Sequence, residues 1–280
     1  MEIEFVNVTY KENIRTPLEV TYLNNVNLKF EASLIYTVVG STESGISKLP
    51  LLINGVGKPT MGYVKTLGFI NNGKYIKNIN KLRMNIGYLP SNPNDFLISK
   101  TVKDELSFGL KYFKYKLNKK SIRINEALKL VNLSEEYLNK RISELSMSEK
   151  KKVALASTLI FNPSVIILDE PWLFLNKKDR TNLNNLILKL KNSYKKTIII
   201  LTKDCDEAYE VADKVMLFDR GSLVKEGDKC VLEDIDGLTK INVDAPDIVK
   251  FINESNNMGA NLTYTSNILD LIKEVYRNAK

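Results

Sequence analysis

The sequence contains no histidine, which excludes every scheme that needs an imidazole base and removes the commonest zinc ligand. Only two cysteines occur, Cys205 and Cys230. They make neither a disulfide framework nor a thiolate metal cluster, and such sparse use suits a reducing cytoplasm. Arginine is scarce, 7 residues against 34 lysines, although bidentate arginine is what base and phosphate recognition favours. The net charge of +8 therefore reads first as a solvated lysine surface, with nucleic acid and anionic lipid headgroups as the competing partners. A bias toward Lys, Asn and Ile also fits AT-rich coding. No apolar run reaches about 20 residues, so no segment is expected to span a bilayer. The opening MEIEFVNVTYKEN lacks the basic-then-apolar order of a secretory signal.

With 44% hydrophobic and 26% charged residues, the composition is that of an ordinary globular chain. At roughly 150 residues per domain, the length allows one large domain or two modest ones. Ile3, Phe5, Val8 and Tyr10 alternate with polar neighbours and predict an edge strand, and residues 25–30 repeat the period of two. Residues 34–39 (LIYTVV) form a continuous apolar run ending at Gly40, the pattern of a strand buried on both faces. A short helical stretch to Asn54 should follow. Glu, Lys, Leu and Asn then dominate residues 100–160, which predicts a mostly helical insertion. Strand character returns at 165–168 (VIIL), 197–201 (TIIIL) and 214–218, with an amphipathic helix expected over 177–195. Strands alternating with helices imply a parallel sheet with crossover helices. Beyond about residue 229 the alternation stops, and two short helices are expected around Asn256-Asn257-Met258-Gly259.

The chemistry concentrates at strand ends. Gly40-Ser41-Thr42-Glu43-Ser44-Gly45-Ile46-Ser47 has the spacing of a phosphate-binding loop, G-x-x-x-x-G-K-[ST], in which backbone N–H groups wrap a phosphate at a helix N-terminus. Gly40, Gly45 and Ser47 match, but Ile46 stands where the lysine charge belongs and would turn an apolar branch toward a polyanion. Lys48, two residues on, lies on a different helical face. Glu43 adds a negative charge, and Pro50 should disturb the first turns of the next helix. Taken alone, the segment reads equally as an ordinary strand–helix turn. The run ending in Asp169-Glu170-Pro171 supplies a second element: the first acid would hold Mg²⁺ with Ser47, the second would polarise a water. Paired carboxylates at a strand end are also common as solvated turn residues.

Leu145-Ser146-Met147-Ser148-Glu149, followed by KKKVALASTLIFNPSVIILDEP, resembles the signature-to-Walker B block of ATP-binding-cassette (ABC) ATPases, whose signature reads L-S-G-G-Q. Residues 39–62 align with the family's loop without gaps. The block starting at Gly87 (GYLPSNPNDFLISKTV), Thr16-Pro17-Leu18-Glu19 and the tail around Asp244-Ala245-Pro246 resemble one branch, the energy-coupling factor (ECF) transporters. The resemblance covers essentially the whole chain. It implies a P-loop α/β fold: a central, mostly parallel sheet with flanking helices, an antiparallel N-terminal part and a helical subdomain at about 91–160. A cassette over 1–228 would carry a small C-terminal domain over 229–280.

By the same resemblance the Q-loop glutamine is Ser91, the two signature glycines are Met147 and Ser148, and the signature glutamine is Glu149. The D-loop aspartate is Asn176, after Trp172-Leu173-Phe174-Leu175 in place of T-A-G-L, and the switch histidine is Lys203. The adenine-stacking aromatic falls on Tyr10 in one register and on Glu12 in the preferred one. Gly40, Gly45, Ser47, Ser146, Asp169 and Glu170 are retained. The resemblance implies ATP and Mg²⁺ as cofactors, both weakly held or lost, and very slow turnover at this chain's own loop. It implies a second, different ATPase subunit in a head-to-tail dimer, with hydrolysis at the partner's loop. Transmembrane coupling and substrate-binding subunits at the cytoplasmic face of the membrane would complete an importer of a vitamin or metal ion. Phe96, Leu97 and Ile98 read as contacts for the coupling subunit or as core. A scaffold that binds nucleotide poorly is the alternative role. A soluble ABC protein working on nucleic acid, suggested only by the basic charge, is a weaker one, and no nucleic-acid partner is expected.

Overall fold

The computed structural model describes residues 3–113 and 119–278. Met1, Glu2, residues 114–118 of the expected helical insertion, and Ala279 and Lys280 of the expected tail lie outside them. The chain opens with strands β1 (Ile3–Glu12), β2 (Val20–Phe30) and β3 (Ile35–Gly40), then helix α1 (Leu49–Ile53), β4 (Met61–Thr66), β5 (Phe69–Asn71), α2 (Ile79–Met84) and β6 (Ile86–Leu89). Helices α3 (Val102–Tyr112), α4 (Lys120–Leu130) and α5 (Met147–Leu159) form the expected helical stretch. The chain returns to the sheet as β7 (Val165–Asp169), α6 (Lys177–Asn192), β8 (Thr197–Thr202), α7 (Cys205–Val211), β9 (Lys214–Asp219) and β10 (Ser222–Gly227). Short helices α8 (Ile235–Lys240), α9 (Asp247–Asn257) and α10 (Ile268–Asn278) follow.

Two sheets result. One is antiparallel, in the order β2-β1-β4-β5; the other has the order β10-β9-β3-β8-β7-β6 and is parallel except for the β9–β10 hairpin. All six residues of β3 are buried, because β8 and β9 flank it and apolar layers cover both its faces. Tyr36 and Val38 face the antiparallel sheet, packing with Ile3, Phe5 and Leu23. Ile35 faces the other way, into a core with α3, α5 and α6. Val39 joins a third cluster with Tyr209 of α7 and with Leu232, Leu238 and Val249, so the chain after residue 229 packs against the same sheet. Ile252, Leu262 and Leu271 make a small cluster of their own. Gly259, at φ +96, makes the turn between α9 and α10 that an L side chain would strain.

Two expectations are corrected. β1 is not an edge strand, because β4 pairs with its other side, Ile3 opposite Thr66 and Phe5 opposite Val64. β4 escaped notice because it buries only Val64 and Thr66. Pro50 does not break a helix either: the residues before it form tight 3₁₀ turns, and Pro50 sits in the first turn of α1, where its missing N–H has no bond to lose. Among the described residues, no helix is long and apolar enough to cross a membrane.

Candidate nucleotide site

The loop after β3 folds as two 3₁₀ turns, Thr42–Ser44 and Ile46–Lys48, hinged at Gly45 with φ +80. A Cβ at Gly45 would lie 2.0 Å from the Tyr22 carbonyl oxygen, so both space and backbone angle demand glycine. The Ser44 hydroxyl donates to the Ser41 carbonyl at 2.6 Å. The Ser44 carbonyl accepts from Gly221 N–H at 3.0 Å, and the Gly221 carbonyl from Asn24 N–H at 2.9 Å. The loop is thus braced by β2 and by the β9–β10 turn. Thr42, Glu43 and Ser47 are exposed. Ile46 does not turn toward the space a phosphate would take. It is half-buried against the core between the sheets, where apolar burial is worth more than exposure.

Lys48 is the only cation of residues 40–48. Its Nζ lies 2.8 Å from Glu12 Oε1 and 4.1 Å from the centroid of the Tyr22 ring. Tyr10 donates its hydroxyl to the same Glu12 oxygen at 3.0 Å. The Lys48 contact holds the Glu12 carboxyl below the usual carboxylate range, against the opposing effect of burial. Tyr10 and Glu12, the two registers for the stacking aromatic, therefore belong to one cluster beside the loop.

At the end of β7, burial and then the Glu170 charge push the Asp169 carboxyl up to about 6, while a hydrogen bond from the Tyr88 hydroxyl at 3.3 Å works the other way. Glu170 has φ +43, outside the regions non-glycine residues prefer. Its carboxylate accepts from the Thr202 hydroxyl at 2.8 Å and from the Lys203 backbone N–H at 3.0 Å. The structure therefore brings Glu170 and Lys203 together, but through the Lys203 amide; its side chain is exposed. Ser91 meets the same strand end indirectly. Lys151 of α5 is 2% exposed, and its Nζ donates to the carbonyls of Ser91 at 2.7 Å, Pro90 at 3.0 Å and Asp169 at 3.4 Å. Burial lowers the Lys151 ammonium to about 8, with the Asp169 and Glu170 charges resisting.

The signature segment is turned on itself. Leu145 is buried, and Ser146 caps α5 in a reciprocal box with Glu149. One Glu149 oxygen accepts from Ser146 N–H and Oγ, both at 2.8 Å, and the other from the Tyr137 hydroxyl at 2.7 Å. Tyr137 first and then Ser146 lower the Glu149 carboxyl to about 2. The Ser148 hydroxyl donates to Asp179 Oδ2 at 3.0 Å, and Met147 Sδ accepts from the Asn94 amide at 3.5 Å. A group with a depressed folded pKa stabilises the fold above its ordinary pKa, and that contribution is lost as pH falls through the folded value. Glu149→Ala should cost about 1 kcal/mol in urea unfolding at pH 7. The gap should narrow below about pH 4.5 and close near pH 2; a gap independent of pH would refute the capping account.

The D-loop positions are held by Trp172, buried and donating Nε1–H to Asn184 Oδ1 at 2.7 Å, and by Asn176, which caps α6. Phe174, where the resembling family has glycine, sits at φ +71 and is about half exposed. Of the three candidate coupling residues, Phe96 and Leu97 pack against the core and Ile98 is 69% exposed. Sequence reasoning missed Lys151, Tyr22, Tyr88 and Tyr137. Lys151 alone carried a signal: it precedes Leu155 and Thr158 at helical spacing, on the buried face of α5.

A profile described as ABC transporter matches residues 23–173. The energy-coupling factor transporter ATP-binding protein EcfA2 of Mycoplasma capricolum is 32% identical over 91% of this chain and 90% of its own length. EcfA3 of Oenococcus oeni is 29% identical over 98% and 96%. Among solved structures, cbiO1 from Clostridium perfringens, described as part of the ABC transporter complex cbiONQ, has a TM-score of 0.73 at 26% identity, covering 90% of this chain and 98% of that one. The dimeric ATP-binding cassette MJ0796 bound to ADP and Pi has a TM-score of 0.74 at 26% identity, over 81% and 98%. The chain thus belongs to the ABC transporter family, with the energy-coupling factor transporter ATP-binding proteins as its relatives.

Proposed function

We propose that this chain is an ATP-binding subunit of an ECF-type importer and the catalytically impaired member of a heterodimer. ATP binding and hydrolysis in that dimer would drive membrane uptake of a vitamin or metal ion. The observation that carries the reading is the state of Glu170: the acid that should polarise water is tied to Thr202 and to the Lys203 amide, in a chain whose one loop cation rests on Glu12. ATP would lie on residues 40–48, with residues 145–149 offered to the partner's loop. Asp169 and Ser47 are the groups that would hold Mg²⁺. They fit it as hard oxygen donors, a carboxyl and an exposed hydroxyl, with the Glu170 carboxyl next to the first. When bound, the ion would neutralise phosphate charge.

The second ATPase, a transmembrane coupling subunit and a substrate-binding membrane subunit are the partners, and the chain works as a peripheral protein at the cytoplasmic face. The cassette spans 1–228, with residues 229–280 as a small domain that supports pairing. A second reading, a scaffold that binds nucleotide poorly and transmits the partner's closure, is favoured by the pairing of Lys48, the one cation of residues 40–48, with Glu12.

Sizing with ATP tests the pairing. The chain alone should stay monomeric and form a one-to-one complex with an intact ECF cassette. A stable ATP-induced homodimer would overturn the proposal.

A further inference from the structure

Lys48 belongs to the loop by its backbone and to the neighbouring strands by its side chain. Its amide closes the second 3₁₀ turn on the Gly45 carbonyl at 3.0 Å, so the residue cannot leave the loop without unfolding it. The side chain is a flexible four-carbon stem with an ammonium at its end. That ammonium rests between Glu12 Oε1 and the face of Tyr22, and Glu12 is steadied in turn by the Tyr10 hydroxyl. The paired side chains retain 19% and 32% of their exposure. A pair this open to water is weak.

An anion arriving at the loop meets glycine and serine backbone, the exposed carboxylate of Glu43 and an inward-turned Ile46. No other positive side chain lies in residues 40–48. We infer that Lys48 is the phosphate ligand of this loop, stored on Glu12 and Tyr22 and released to a polyphosphate, so that Glu12 acts as a built-in competitor that sets nucleotide affinity. A chain of phosphates carries several charges against the single charge of Glu12, so exchange of the ammonium favours di- and triphosphates over a monophosphate. The inference rests on the nucleotide reading proposed above and adds the residue that would recognise the ligand.

Calorimetric titration of the full chain with Mg-ATP and with inorganic tripolyphosphate tests it, using the wild type, Glu12→Gln, Lys48→Met and the double variant. Removing the competitor should tighten binding about fivefold in Glu12→Gln, which corresponds to about 1 kcal/mol. Lys48→Met should weaken binding about tenfold or more. In the Lys48→Met background, Glu12→Gln should bring no gain, because the two act through one contact. Thermal melts within a few degrees of wild type would show that each variant is folded.

A gain from Glu12→Gln that persists without Lys48 would overturn the inference, since it would then reflect simple charge repulsion. Equal ATP affinity in all four proteins would leave the nucleotide reading standing and remove the Lys48 assignment. The expected ranking with tripolyphosphate but no response to ATP would keep Lys48 as an anion ligand and remove the nucleotide reading. No response to either ligand at millimolar concentration would remove both.

Discussion

Glu170→Gln should leave ATP turnover of the isolated chain within about twofold of wild type, and both should turn over about a thousandfold or more slowly than a cassette with its loop lysine in place. A preorganised positive charge on the transferring phosphoryl group contributes several kcal/mol of transition-state binding, and Ile46 supplies none. Lys48, even when released, would hold ground state and transition state alike, which raises affinity without raising the rate. Glu170 already accepts from the Thr202 hydroxyl on one oxygen and from the Lys203 amide on the other, and hydrogen bonds to the charged form make it a weaker base toward a water proton. Removing its charge should therefore change little. A steady-state assay on purified chain decides the matter: several turnovers per second, abolished by Glu170→Gln, would overturn the impaired-subunit reading.

Lys151→Met should destabilise the chain by about 3 kcal/mol at pH 7. The change strips a buried ammonium from three carbonyl oxygens and leaves Asp169 and Glu170 without a counter-charge. The pH dependence separates this from ordinary loss of packing. Between about 8 and the ordinary lysine value of 10.5, the unfolded chain holds a proton on this residue that the folded chain has shed. Wild-type stability from this group therefore rises with pH across that window. The variant lacks the effect, so the difference in urea unfolding free energy should widen from pH 7 to pH 9.5. A constant difference would mean that Lys151 acts by packing alone. Hydrogen exchange should also quicken at Ser91, whose carbonyl anchors the segment leaving β6.

The parallel sheet was legible because its strands are uninterrupted apolar runs: 34–39, 165–168, 197–201 and 214–218 all became strands, with ends shifted by a residue or so. Two of the strands that were missed have little to bury, whereas β6 buries three of its four residues and escaped only because four residues are too short a run to show a period. β10 has no fully buried residue, and β5 has only Asn71. Motif spacing located the loop and the acid pair, since those positions are fixed along one strand–turn unit. Side-chain direction was another matter. Lys48 and Glu12 lie 36 residues apart, and only the pairing of β1 with β2 and the turn of the loop around Tyr22 bring them together. Nor does spacing distinguish Lys151 from Lys150 and Lys152: the first points inward while Lys150 meets Asn94 and Lys152 meets Asp179. The box between Ser146 and Glu149 was written openly as S-x-x-E, yet the same four residues also fit the signature pattern.

The order of the two sheets bears on how the chain is made. β1, β2, β4 and β5 all lie within residues 3–71 and can pair as soon as that segment has emerged from the ribosome. β3 is made with them but belongs to the other sheet, where Ile35 waits for Ile198 and Tyr36 for Lys214. Until synthesis passes residue 202, a strand buried on every residue in the finished fold has two open edges, and one stays open until residue 219, a condition that favours misassociation. The loop after β3 settles late as well, because part of its brace comes from Gly221. A nascent chain stalled before that glycine would carry the loop's sequence without its shape.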